Sequence, residues 1–118
     1  MVYLEDIDEA GVVYYVTEGE LRCLCRKISS DPQEYVNVVP YHSYLRNDAE
    51  PIAPGEVTEL YFDLLPTSYL FKKGHSIRIA IAGADKDHFH PPNFPPAPVT
   101  YLRDAEHDSH VVLPIVKM

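Results

Sequence analysis

A chain of 118 residues and 13.4 kDa has room for one hydrophobic core and not two, and size scaling has such a domain bury roughly two thirds of its unfolded surface. Its 10 basic and 18 acidic residues leave a net charge of −8, which repels phosphate backbones and anionic headgroups and so argues against nucleic-acid and membrane partners. No apolar run approaches the ~20 residues of a membrane span, and the opening MVYLEDIDEAG has neither the basic nor the apolar region of a signal peptide, so no address is expected.

In chain order, the VYLEDI run is followed by Asp8 to Gly11, DEAG, which reads as a hairpin loop. Val12, Tyr14 and Val16 then alternate as one apolar row, and Leu21, Cys23 and Cys25 as another. The segment from Asp31 to Pro54 is irregular and rich in Tyr, Pro and Asn. Thr58, Leu60, Phe62 and Leu64 alternate with Glu59, Tyr61 and Asp63, and Ile77, Ile79 and Ile81 alternate with Arg78, Ala80 and Ala82, the period of two that half-buried strands show. Proline occupies five of the eight positions from Pro91 to Pro98 and cannot donate to a ladder, so this stretch reads as loop. Val111, Leu113 and Ile115 close the chain with a last alternating row. No window carries a helical stripe, and six or seven short strands between turn signals predict an all-β antiparallel sandwich or barrel.

Four constellations carry potential chemistry. Asp85, Asp87, His88 and His90 mix hard and borderline metal ligands at a spacing that puts alternate side chains on one side of an extended chain. They follow directly on a strand, precede the proline-rich loop and match no established ligand spacing, so a solvated strand end is the expectation. None of the six serines lies in the Gly-x-Ser-x-Gly turn of an α/β-hydrolase nucleophile. Ser43 in PYHSYL stands between His42 and Tyr44, but sequence adjacency is not triad geometry, and a loop hydroxyl is expected. Cys23 and Cys25, one residue apart in a strand, lie too far apart to bond; they read as small core hydrophobes rather than soft metal ligands, and they admit a reducing, cytoplasmic compartment. The nine tyrosines suit sugar stacking or half-buried strand edges alike.

The runs VYLEDIDEAGVVYYVTEGELR, PYHSYLRNDAEPIAPGE, LYFDLLPTSYLFKKGHSIRIAIAGAD and RDAEHDSHVVLPIVKM together resemble the C-terminal domain of the X-prolyl dipeptidyl-peptidase, cocaine esterase and α-amino-acid ester hydrolase family. The most specific parts are Gly19 to Arg22, the Pro54-Gly55-Glu56 turn, Leu65-Pro66-Thr67-Ser68, Gly74-His75 before the isoleucine strand, and Leu113-Pro114. The resemblance implies a jelly-roll β-sandwich of the galactose-binding-like type, joined to an α/β-hydrolase domain that holds the Ser, Asp and His of the reaction. No catalytic residue therefore carries over onto this chain. Two departures stand out: the loop reading KDHFHPPNFPPAPVTY replaces an Arg-Asn-rich turn, and the strands that precede the VYLEDI run in the family are absent.

The reading is thus a single C-terminal β-sandwich fragment over residues 1–118, incomplete at its N-terminus, that serves a serine hydrolase of peptide, ester or amide bonds by packing on its catalytic domain and shaping the substrate pocket. The alternative is a free-standing carbohydrate-binding or adhesive module. No catalytic, cofactor-binding or metal-ligating residue is assigned, and no cofactor is expected. Missing strands predict a homo-oligomer of the isolated chain, through the rows Val12 to Val16 and Leu21 to Cys25.

Overall fold

In the computed structural model, which describes residues 1–33, 39–89 and 98–116, the VYLEDI run forms strand β1, Val2–Ile7. It is the central strand of a three-stranded antiparallel sheet. Strand β2, Val13–Gly19, pairs on one side and strand β3, Ser76–Ile81, on the other, in the order β2-β1-β3. The described residues add only two single-turn 3-10 segments, Cys23–Cys25 and Arg46–Asp48, so the chain is all-β. Among the described residues no helix is long and apolar enough to cross a membrane.

The hairpin between β1 and β2 is built by Asp8. Its Oδ1 accepts from the backbone N–H of Ala10 and of Val12, at 2.9 and 2.8 Å, while its own N–H donates to the Val12 carbonyl at 3.0 Å. Those donors, that of Val12 foremost, hold the Asp8 carboxyl below its ordinary value. The register shifts between Leu4 and Glu5: Leu4 faces Thr17 but Glu5 faces Tyr15, so Val16 is the extra residue of a bulge. That explains why Val16 and Thr17 are both buried although strict alternation would bury only one.

Opposite residues of a ladder share a face, so Leu4, Asp6, Ile77 and Ile79 lie on one side of the sheet. Leu4, Val16 and Leu21 are the buried apolar residues, accompanied by buried Asp6, Thr17 and His42. The isoleucine strand takes the predicted alternation and the predicted face, yet Ile77, Ile79 and Ile81 stay 51%, 36% and 48% exposed. They face the core side without being covered by the described residues. The chain as a whole exposes 10266 Å² where a folded monomer of this mass exposes roughly 6,500 Å² and its extended chain roughly 19,400 Å². About half of the surface is buried, not the two thirds expected from size.

Three predicted rows do not form ladders. Leu21 is buried, but the chain then closes a tight turn, with the Cys25 N–H bonded to the Arg22 carbonyl at 2.7 Å, and Cys23 ends up exposed. Arg26 ties this turn down: its guanidinium reaches back to the Cys23 and Glu50 carbonyls and to the carboxylates of Glu50 and Glu56. Thr58 to Leu64 joins no ladder among the described residues; the chain is held just beyond it, where the Leu65 N–H donates to the Glu18 carbonyl and the Thr17 hydroxyl to the Leu65 carbonyl, each at 2.7 Å. Here Gly19 is required, because a Cβ would lie 2.2 Å from the Asp63 carbonyl oxygen. Val111 and Ile115, 43% and 88% exposed, likewise find no ladder. A period of two makes a strand possible; only a neighbouring edge makes it a strand. Both cysteines are free thiols.

Candidate functional site

Among the described residues Asp6 is the single large side chain that is completely buried, at 1% exposure. It stands on the Leu4 face of the central strand, opposite Ile77 and Tyr14. Its Oδ2 accepts two hydrogen bonds of 2.9 Å, one from the Tyr69 hydroxyl and one from His75 Nδ1. Oδ1 is buried with no partner among the described residues. His75 is placed by a tight turn in which its N–H donates to the Lys72 carbonyl at 3.1 Å and Gly74 adopts φ +89°. That positive φ at the third turn position favours glycine, and it delivers His75 onto the start of β3.

A cleft of about 290 Å³ opens over this group, lined by Asp6, Asp8, Tyr14, Tyr69, Lys72 and His75. The Tyr14 hydroxyl donates to Asp8 Oδ2 at 3.1 Å. The hydrogen bond to Asp6 holds the Tyr69 phenol above its ordinary value, and the bond to Asp8 does the same for Tyr14. Chemically the cleft contains an aspartate–histidine pair of the kind that orients a general base. Its described lining residues include no serine, cysteine or threonine, and its other polar groups are the phenols of Tyr14 and Tyr69 and the amine of Lys72. The arrangement ties together β1, the start of β3 and the segment carrying Tyr69.

The acid and histidine cluster at the end of β3 has a different role. Asp85 Oδ2 accepts from the Tyr3 hydroxyl at 2.5 Å, and Oδ1 accepts from the N–H groups of Asp87 and His88 at 2.8 and 3.0 Å. Asp85 thereby folds the turn and anchors it to β1. The phenol of Tyr3, foremost, and the two amides lower its carboxyl to about 2, and the same bond raises the Tyr3 phenol to about 12. Asp87 and His88 are exposed, and His90 lies outside the described residues, as do the prolines at 91, 92, 95 and 96. Among the described residues no group of three or more His, Cys, Asp or Glu converges in a way that could hold a metal.

The PYHSYL segment does not assemble a catalytic dyad. The Ser43 hydroxyl donates to Asp48 Oδ2 at 2.6 Å. Both ring nitrogens of buried His42 face carbonyl oxygens instead, Nδ1 that of Lys27 at 3.1 Å and Nε2 that of Tyr61 at 2.9 Å. His42 thus bridges two loops. The Asp6, Tyr69 and His75 group is not among the constellations singled out in the sequence. Its one legible signal was a carboxylate in the inward row Val2, Leu4, Asp6, since a carboxylate at a core-facing position is rarely buried without partners.

The sheet, the Gly74-His75 turn and the Leu65 contact lie inside a match to a known family: the model of the X-Pro dipeptidyl-peptidase C-terminal non-catalytic domain matches residues 1–112, and the chain belongs to that family. Two curated relatives, one of Mycobacterium bovis and one of Mycobacterium tuberculosis, both provisionally named serine esterases, are each 51% identical over 117 residues. That match covers 98% of this chain and 18% of each relative, so the chain spans under a fifth of their length. No solved structure matches the chain.

Proposed function

We propose that residues 1–118 act as one jelly-roll unit of a serine hydrolase, of the X-Pro dipeptidyl-peptidase or acyl ester and amide type, packing on its α/β-hydrolase domain and shaping the substrate pocket. The observation that carries this reading is the uncovered apolar side of the sheet, Ile77, Ile79 and Ile81 beside buried Leu4. A face of that kind is the surface of a larger body. No residue of this chain is given a catalytic, cofactor or metal role; the reacting serine belongs to the rest of the hydrolase. In isolation the same surface supports a homo-oligomer. The exposed rings of Tyr15, Tyr44 and Tyr61, each near 60% accessible, favour the second reading, a sugar-binding or adhesive module, which a glycan array with bound-state tyrosine fluorescence tests.

The main reading is tested by complementation. A mycobacterial relative lacking its matching segment is mixed with this chain, and hydrolysis of a p-nitrophenyl ester and of a Gly-Pro anilide is followed. Activity is expected for the pair and none for this chain alone. Turnover by the chain alone, abolished by a serine-directed phosphonate, overturns the reading.

A further inference from the structure

Strand β3 is the edge of the sheet, and its backbone shows which way its free groups point. Met1 and Ala82 exchange both backbone hydrogen bonds, each 3.0 Å long. In an antiparallel ladder such bonded pairs alternate with non-bonded ones. The register Tyr3 with Ala80, Glu5 with Arg78 and Ile7 with Ser76 therefore turns the N–H and C=O groups of Ser76, Arg78, Ala80 and Ala82 toward β1. Those of Ile77, Ile79 and Ile81 point outward. No bond to them is made among the described residues, and the three side chains are the half-exposed ones on the Leu4 face.

We propose that this edge is the seam of a homodimer in which β3 pairs antiparallel with β3 of a second copy, about a twofold axis beside Ile79. The inference rests on the oligomer reading above and is independent of the hydrolase reading. With Ile79 opposite Ile79 of the second copy, Ile77 falls opposite Ile81 and Ile81 opposite Ile77, so every outward backbone group finds a partner. Six isoleucines then form one apolar strip across a six-stranded sheet. On the other face Arg78 meets Ala80 of the second copy, so no like charges lie directly across the seam, and Arg78 is already paired with Glu5. Sliding by two residues loses an isoleucine pair at one end and brings in His75, which is bonded to Asp6, or Gly83. Sliding by one turns the backbone groups away from each other.

The assembly closes at two copies. Its new outer edges are the β2 strands, and each is partly covered by its own chain, through the Leu65 bond to Glu18 and the approach of Asp63 to Gly19. Of the rows expected from the sequence to make the contact, Val16 and Leu21 are buried and Cys23–Cys25 is a turn, while Val12 and Tyr14 stay about half exposed. A net charge of −8 on each copy opposes association, so added salt strengthens it.

Size exclusion with light scattering on the 118-residue chain, from about 1 to about 100 µM, is expected to give twice 13.4 kDa. Ile79→Lys places two ammonium groups against each other at the axis and is expected to give a monomer with an unchanged far-UV spectrum. A second set of variants is read by crosslinking, in a Cys23→Ser, Cys25→Ser background. Residues paired across the axis sit about 5.5 Å apart between Cα atoms, within disulfide reach, so Ile79→Cys is expected to oxidise to a covalent dimer. Ile77→Cys and Ile81→Cys are each about 13 Å from their own copies and are expected to crosslink only when the two are mixed. A monomer at every concentration, as expected if a strand of a longer polypeptide is what this edge receives, overturns the proposal. So does a dimer that survives Ile79→Lys, or crosslinking that does not distinguish the three positions.

Discussion

The carboxylates of this chain divide the labour of holding loops to the sheet. Asp8 closes the β1–β2 hairpin, Asp85 folds the turn after β3, and Asp6 gathers Tyr69 and His75 from two separate segments. The Tyr3–Asp85 bond makes stability depend on pH at both ends. Asp85 is depressed to about 2, so its contribution is present above the ordinary carboxylate value near 4 and is lost as pH falls toward 2. Tyr3 is raised to about 12, so its contribution is present below about pH 10 and is lost as pH rises toward 12. Tyr3→Phe is therefore expected to lower the urea midpoint at neutral pH and to flatten both limbs, which urea titrations between about pH 2 and 5 and above pH 9 measure. Limbs as steep as those of the parent chain would mean that the bond does not couple to folding. The Asp85 reading illustrates what a sequence can and cannot say: a strand end was legible, but the partner of its carboxylate lies 82 residues away.

At the scale of elements, burial ranks the strands' contributions. Leu4 is 4% exposed and Ile81 48%, although both are apolar residues of paired strands on the same face. Leu4→Ala is expected to cost about 2–4 kcal/mol and Ile81→Ala under about 1 kcal/mol in dilute monomer, compared by urea unfolding. Equal losses would place the hidden core elsewhere. The two constrained glycines should differ as well. At Gly74 an added methyl meets only the mobile Glu9 side chain and the cost is the positive φ, whereas at Gly19 it meets the Asp63 backbone. Gly19→Ala is therefore expected to lower the melting temperature more than Gly74→Ala, because backbone must shift to admit it.

For the whole molecule, the excess of exposed surface decides behaviour in solution. An apolar face flanked by an unpaired strand edge binds hydrophobic dyes until something covers it. Fluorescence of such a dye with the chain is expected to fall as concentration rises from about 1 to about 100 µM, in step with association. Dye binding that is absent at the lowest concentration would show that the described strands close a core unaided. The same uncovered face accounts for the size-scaling expectation failing: a length of 118 residues bounds how much a chain can bury, not how much it does.

The amino-acid sequence by itself determined what is local. Alternation set the β2 and β3 runs, the lack of a helical stripe set the absence of long helices, Asp8 to Gly11 set the hairpin that joins the VYLEDI run to β2, and several separated motifs together set the family. Each of these depends on side-chain spacing or on bonds across a few residues. Tertiary structure alone decided which alternating runs became ladders, because a strand needs an edge to pair with and Thr58 to Leu64 finds none among the described residues. It decided that Cys23–Cys25 turns, where Arg26 reaches across the chain to the carbonyl of Glu50. It also decided that the isoleucine row stays open and that Asp6, Tyr69 and His75 meet. Those outcomes depend on groups from 24 to 69 residues apart in sequence, where spacing carries no information and only the fold brings the partners within reach.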